Sequence, residues 1–363
     1  MKVVIFSEIS WAFLKQRHHF VVELFLKKNY EVVFIERVYS RIPTVKELIL
    51  KIIENFRRKK VYQTEKVPGG LKIEKSIFFP NVNFLFDFLN YYIGIYYSKK
   101  HYNAKIVYTF NNNPNILMGF TESIKIFDII HNWWMYGEHR KWQINNVNKI
   151  IACADIVIVD NNKLIDKVEE IDNNKRTIYV PPGVSEEWLN IQNVQNHKKC
   201  KGLFFGNLRS NSDLDLIVKI IDDGIDIDLY GIIDSSINPI YKKKLEKNFK
   251  GRLPNSEITL IIKNYNFLLL PYARNKFSST ISPAKYFECL STGLAVVSNS
   301  HLNHLPGWAE FVIDYDGNKS KFENKIINDR GHIIKQQKEL AKNFTWENNF
   351  SELFELIEKN EKN

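Results

Sequence analysis

The feature that most constrains this chain is an alternation that runs, stops and starts again. Short runs rich in β-branched and aromatic residues occur at KVVIFS (2–7), EVVFIE (31–36), KIVYTF (105–110), IKIFDII (124–130), DIVIVD (155–160) and TIYVPP (177–182). Segments with helical spacing, such as 15–28 and 140–153, lie between several of them. Strands that read as continuous apolar runs and are separated by helices imply a parallel sheet covered on both faces. A polar stretch without apolar period, 185–201, interrupts this pattern, and new strands follow at 202–207, 225–231, 266–272, 294–299 and 310–315. At 363 residues the chain has room for two such domains. The reading is therefore an α/β chain of two Rossmann-like parallel-sheet domains, 1–182 and 202–344, joined by a linker at 183–201. A closing helix at 345–360, with Thr345 as its N-cap and Phe350, Leu353, Phe354 and Ile357 on its apolar face, is expected to pack back on the first domain.

Composition narrows the classes. Hydrophobic residues at 44% and charged residues at 25% exclude a disordered or fibrous chain. The longest apolar tract, 83–97, is broken by Asp87 and is shorter than the roughly 20 residues that span a bilayer. Three cysteines without a CxxC pair suggest neither a disulfide framework nor a zinc site, and no leader-like segment opens the sequence, so a cytoplasmic location is expected. The net charge of +10 is uneven: the first 180 residues carry 27 Lys and Arg against 18 Asp and Glu, the remainder 24 against 23. The basic run RRKK at 57–60 lies upstream of the aromatic tract at 84–97, a pairing suited to an anionic membrane surface or acceptor, although an ordinary solvated face would read the same way. No basic helix or motif for nucleic acid is present, and none is expected to bind. The abundant asparagines read as compositional bias.

In open parallel sheets, ligands bind at the carboxyl ends of strands, where helix N-termini present free N–H groups. Residues 271–299 fit this site. A loop with Arg274 and Lys276 follows a buried strand, and Ser282 as N-cap with Pro283 at the first helical position predicts a helix start suited to a diphosphate. Lys285 stands in its first turn, and Glu288, three residues on, could accept hydrogen bonds from a diol. Lys285 and Glu288 could equally form a surface ion pair, but Tyr286, Phe287 and Leu290 favour a packed wall. His131, in FDIIHNWWMYGEH, follows a strand and is either a functional group or a core histidine. Gln16, Arg17, His18 and His19 open the first helix, and Trp133, Trp134 and Trp142 are either a sugar-stacking platform or core.

The segment SPAKYFECLSTGLAVVSN resembles the donor-binding helix of GT-B glycosyltransferases, especially the retaining family called GT4 and its relatives in teichuronic acid, capsule and O-antigen assembly. WAFLKQRHHF (11–20), ADIVIVDNNKL followed by VPPGV, FFGNL (204–208), FKGRLPNSEITLIIKNYNFLLLPY and FTWE (344–347) are similar to that family's pieces in the same order. The resemblance implies the GT-B fold, two Rossmann-like domains facing each other across a cleft, and transfer of a sugar from a nucleotide diphosphate sugar to a glycan or lipid-linked acceptor in surface polysaccharide synthesis. It implies that Glu288 holds the ribose hydroxyls and that Thr280 replaces the first glutamate of the family's E-x7-E motif. Gly206 would admit the diphosphate, and Asn207 stands where the family often has an arginine. Arg252 and Leu253 would read the base through their backbone. Neutralisation of the diphosphate is left open among Arg209, Arg274 and Lys285, and the catalytic set is read as His131, Arg209 and Lys285. Gln16, Arg17, His18 and Trp133 are expected on the acceptor side. The nucleotide sugar is a co-substrate; no cofactor and no metal are expected, since no DxD-like pair lies near the donor helix, and peripheral contact at the inner face of the membrane is expected through the basic first domain. The rival readings are a sugar-nucleotide 2-epimerase of the same fold and a non-catalytic nucleotide-sugar-binding partner subunit.

Overall fold

The computed structural model describes residues 1–13, 15–40, 67–135, 140–191, 200–209, 211–275, 280–327 and 330–362. The basic run at 57–60, Lys276 and residues 192–199 of the expected linker lie outside the described residues. The chain divides into two units, Met1–Val180 with Glu352–Asn363, and Pro181–Ser351.

In the first unit, β1 (Lys2–Phe6), β2 (Glu31–Glu36), β3 (Leu71–Lys75), β4 (Ile106–Thr109), β5 (Ile124–Ile129), β6 (Ile156–Val159) and β7 (Arg176–Tyr179) form one parallel sheet in the order β3-β2-β1-β4-β5-β6-β7. Its central strands are buried on both faces, which is why they read as unbroken β-branched runs. The edge strand β3 had no such signature: LKIEK alternates apolar with charged residues and stays half exposed. The helix Ser351–Lys362 completes this unit. Phe354 packs edge-on against Phe25 with ring centroids 5.1 Å apart, and Arg176 pairs with Glu352 at 3.1 Å.

The second unit repeats the topology. Strands β8 (Lys201–Leu208), β9 (Asp226–Ile233), β10 (Phe249–Gly251), β11 (Phe267–Leu269), β12 (Ala295–Val297) and β13 (Val312–Ile313) are ordered β10-β9-β8-β11-β12-β13, all parallel. The period-2 alternation of each strand divides its side chains between two cores: Leu203, Phe205, Leu268 and Val296 enter one, Phe204, Leu208, Leu269 and Val297 the other. Residues 183–191 are not a free linker. Val184 bridges to Thr345, and the helix Glu186–Leu189 buries Trp188 against Phe205 in a stacked pair 5.4 Å apart.

Several asparagines also have structural work. Asn81 and Asn115 donate to Asp87 Oδ1 at 2.9 and 2.8 Å, Asn113 Oδ1 accepts from the Asn115 N–H at 3.2 Å, and Asn111 donates to Glu8 at 2.9 Å. This buried network fixes the turn after β4, where an irregular backbone must otherwise leave polar groups unpaired.

Candidate functional site

Both sheets reverse their winding between the first and fourth strands, β1/β4 in one unit and β8/β11 in the other, and the carboxyl ends of strands at such a reversal are where ligands of open α/β sheets bind. In the second unit, Gly206 stands near the end of β8 with φ of +138°, and its register partner Gly231 on β9 has φ of +136°. A Cβ on Gly231 would overlap the Gly206 carbonyl, and one on Gly206 would overlap the Lys285 ammonium. Only glycine fits this backbone at both positions.

The regular helix that follows β11 spans Lys285–Thr292, two residues later than the sequence predicts. Ala284, already in the right-handed helical region, occupies the cap without a side-chain bond, while the Tyr286 N–H bonds to the Pro283 carbonyl at 3.0 Å and makes the turn before the helix. Ser282 and Pro283 are buried in that turn, and Thr280 is half-buried just before it. Gly293, at φ of +74°, ends the helix as expected.

Lys285 and Glu288 do not form the surface ion pair. The Lys285 ammonium donates to the Phe205 carbonyl and lies 4.4 Å from the centroid of the Phe205 ring. Burial lowers its pKa to about 8, with Glu288 opposing the shift. Burial likewise raises the Glu288 carboxyl to about 8, against the pull of Lys285. The Glu288 carboxylate makes no hydrogen bond or ion pair among the described residues. A half-buried carboxyl without a partner among the described residues, one helical turn from Lys285 at a winding reversal, is equipped to receive hydroxyl donors from a ligand.

The other expected donor residues are distributed around this centre. Asn207 is half-buried on β8 and Arg209 is exposed just beyond it, its backbone N–H held by the Ser212 hydroxyl at 3.0 Å. Arg252 is exposed and Leu253 half-buried immediately after β10. Arg274 is committed elsewhere: it donates to the Asn299 carbonyl and pairs with Asp314 at 3.7 Å. Arg209 makes no ion pair among the described residues.

At the carboxyl end of the first sheet the structure revises the expected acceptor set. Arg17 is buried, and its guanidinium donates to Asp128 on β5 and to the Val180 carbonyl, each at 2.8 Å. Tyr108 of β4 donates to the same Asp128 oxygen, and burial followed by the Asp128 charge holds its pKa well above the ordinary value. Asp160, just past β6, is raised to about 7 by burial. Trp133 is fully buried in the core and offers no face for a sugar, whereas Trp142 donates to Asn81 at 3.3 Å. Gln16 caps the first helix, Arg17–Lys27, in a reciprocal box with His19, and is exposed. His18 is buried 3.0 Å from the Ser7 hydroxyl, and burial, then the neighbouring His19, drives its pKa far down, so it is neutral. His19 meets the Trp11 carbonyl at 2.9 Å. His131 is not a core residue: it stands two residues past β5, its side chain 39% exposed, with Nε2 3.5 Å from Glu8.

Sequence reasoning missed Glu8, Tyr108, Asp128 and Asp160. Each lies within or directly after a strand, and a polar residue at the carboxyl end of an otherwise apolar strand was the signal that could have found them.

No family model matches the chain, and no curated protein matches it in sequence. Solved structures are similar in fold. The apo form of the lipopolysaccharide outer core galactosyltransferase WaaB aligns over 99% of this chain and 100% of its own at 14% identity and a TM-score of 0.62. A mutant of S. aureus TarM in complex with Fondaparinux, alpha-GlcNAc-glycerol and UDP aligns over 98% and 100% at 9% identity and 0.60. Anabaena HepE in complex with UDP and glucose aligns over 98% and 99% at 11% identity and 0.60. At such identities the likeness is one of architecture: with two parallel, doubly wound sheets in Rossmann order, the chain has the GT-B fold.

Proposed function

We propose that this protein is a glycosyltransferase that moves a sugar from a nucleotide diphosphate sugar to a hydroxyl of a glycan or lipid-linked acceptor in surface polysaccharide synthesis, with retention of anomeric configuration. The observation that carries the reading is Glu288, a half-buried carboxyl without a partner among the described residues, one helical turn from Lys285, whose ammonium lies against Gly206. In this reading Glu288 accepts hydrogen bonds from the ribose hydroxyls, and the backbone of Arg252 and Leu253 meets the base. Charge growing on the leaving diphosphate is met by Arg209, Lys285 and the N–H groups at the start of the helix Lys285–Thr292, in place of a metal. His131 serves the acceptor side, where Glu8 orients its ring.

Calorimetry against UDP-, GDP-, dTDP- and CMP-sugars tests the donor site. One class should bind, and Glu288→Gln should weaken it; equal affinity in that variant would remove the carboxylate from the site. Incubating that donor without acceptor separates the transferase from a 2-epimerase, which would consume it alone. Activity should persist in a chelator, and the anomeric proton of the product reads retention directly. His131→Ala should depress turnover while donor affinity holds.

A further inference from the structure

Two arginines are buried among the described residues, and their charges are met in unequal measure. Arg17, 8% exposed, has Asp128 and the Val180 carbonyl, each at 2.8 Å. Arg330, 9% exposed, makes no ion pair among the described residues. The one hydrogen bond its side chain makes there runs from Nη2 to Gln337 Oε1 at 3.3 Å. Burial alone pulls its pKa down to about 10, so the guanidinium stays charged at neutral pH. A charge taken out of water and left without a counter-ion is among the costliest arrangements a fold can hold. Gln337 carries the second half of the observation. It is fully buried, its oxygen is taken by Arg330, and its Nε2 has no partner among the described residues. Nitrogen and oxygen share one amide head, so this orphaned donor lies beside the guanidinium.

We infer that Arg330 and Gln337 form a seat for a small oxyanion, distinct from the nucleotide-sugar site. A guanidinium fork pairs two oxygens of one anion, and the amide N–H supplies a third donor. The surrounding charge agrees in sign. Lys338, the next residue, donates to the Ile191 carbonyl at 3.5 Å, while Glu339 is exposed and paired with Lys342 at 4.0 Å. The fold keeps this corner away from the ligand edge. Helix Lys319–Ile327 packs Phe322 and Ile326 into one core of the second unit, and helix Gly331–Asn343 packs Ala341 into the other. Arg330 therefore stands where the chain has just changed face of the sheet. Gly293 lies against Ile334, one turn further on, and closes the helix that begins at Lys285. That helix runs about 12 Å from the winding reversal towards the amino end of β12, and the seat belongs to its far end.

The seat is tested without any nucleotide sugar, so it can fail while the transferase reading stands. The full chain is melted in inorganic phosphate, in acetate and, as the control, in chloride at the same ionic strength. Near saturation, phosphate should raise the midpoint by roughly 3 °C or more over chloride. An equal rise in acetate assigns the seat to carboxylates, a smaller one to tetrahedral anions. Arg330→Met, which keeps the reach of the side chain and drops its charge, should lose most of the rise. Gln337→Leu leaves the charge in place and should weaken phosphate binding roughly tenfold in calorimetry, which keeps the test open if Arg330→Met folds poorly. Phosphate that bound only beside Lys285 would leave both variants with the wild-type response, and that result would overturn the inference. So would a wild type that neither anion stabilises more than chloride does.

Discussion

The two units share a strand order, yet they treat the carboxyl ends of their sheets in opposite ways. In the first, the space beside β4 and β5 is filled by the protein's own charges: Arg17 enters from the first helix, saturates one oxygen of Asp128, and is joined there by Tyr108. In the second, the corresponding region beside β8 holds two positive-φ glycines, one of which gives room to the Lys285 ammonium, and a carboxyl that no described residue satisfies. A winding reversal offers a place for a ligand, but whether it remains open depends on what the surrounding loops insert. Polar groups consumed internally hold the fold; polar groups left over are available for recognition.

The sharpest way to break this contrast is Arg17→Met. If the first reversal is structural, removing the guanidinium strands Asp128 in the core and should cost about 3–5 kcal/mol in urea unfolding. A loss under about 1 kcal/mol would place the two reversals in the same class. Next is pH. With its pKa raised to about 7, Asp160 stays protonated in the folded chain where the unfolded chain has already released its proton. The unfolded state then binds fewer protons, so this group makes stability fall as pH rises from about 4 to about 7. Asp160→Asn should flatten that decline, on the order of 2–4 kcal/mol over the window.

At the second reversal, Glu288→Ala should weaken binding of the nucleotide-sugar donor by about 1–3 kcal/mol in calorimetry, the scale of leaving a ligand's buried hydroxyls without their acceptor, with little effect on the unfolding midpoint at neutral pH. Gly206→Ala should lower stability by about 1–2 kcal/mol, since it forces a side chain into a positive φ and displaces Lys285 from the Phe205 carbonyl. As a reference far from either reversal, the exposed pair Lys167–Glu170 should contribute at most about 0.5 kcal/mol when Lys167→Ala removes it.

What the sequence made legible follows the physics of burial. Central strands must be apolar on both faces, so their β-branched runs stood out, while the sheet edges β3 and β10 did not, because half-exposed strands carry charges and can be three residues long. Lys285 and Glu288 were accessible because helix spacing is a local property, whereas Gly206 came only from the resemblance of FFGNL to a family's strand end. The union of Arg17 with Asp128 was not, since 111 residues separate them and only the folded sheet brings them together. Trp133 was ambiguous for a related reason: an aromatic beside a strand end serves a core or a ligand equally well, and its complete burial settles the matter for the core.

The paired glycines at 206 and 231 also limit how this molecule can be recombined. Since the Gly206 carbonyl occupies the volume that a side chain at 231 would need, and both positions hold a positive φ, β8 and β9 form a single unit of inheritance at their carboxyl ends. A chimera whose crossover fell between these strands would tolerate a donor sequence only where it brought glycine at its own matching position, and a library randomised at both sites should return the same pair.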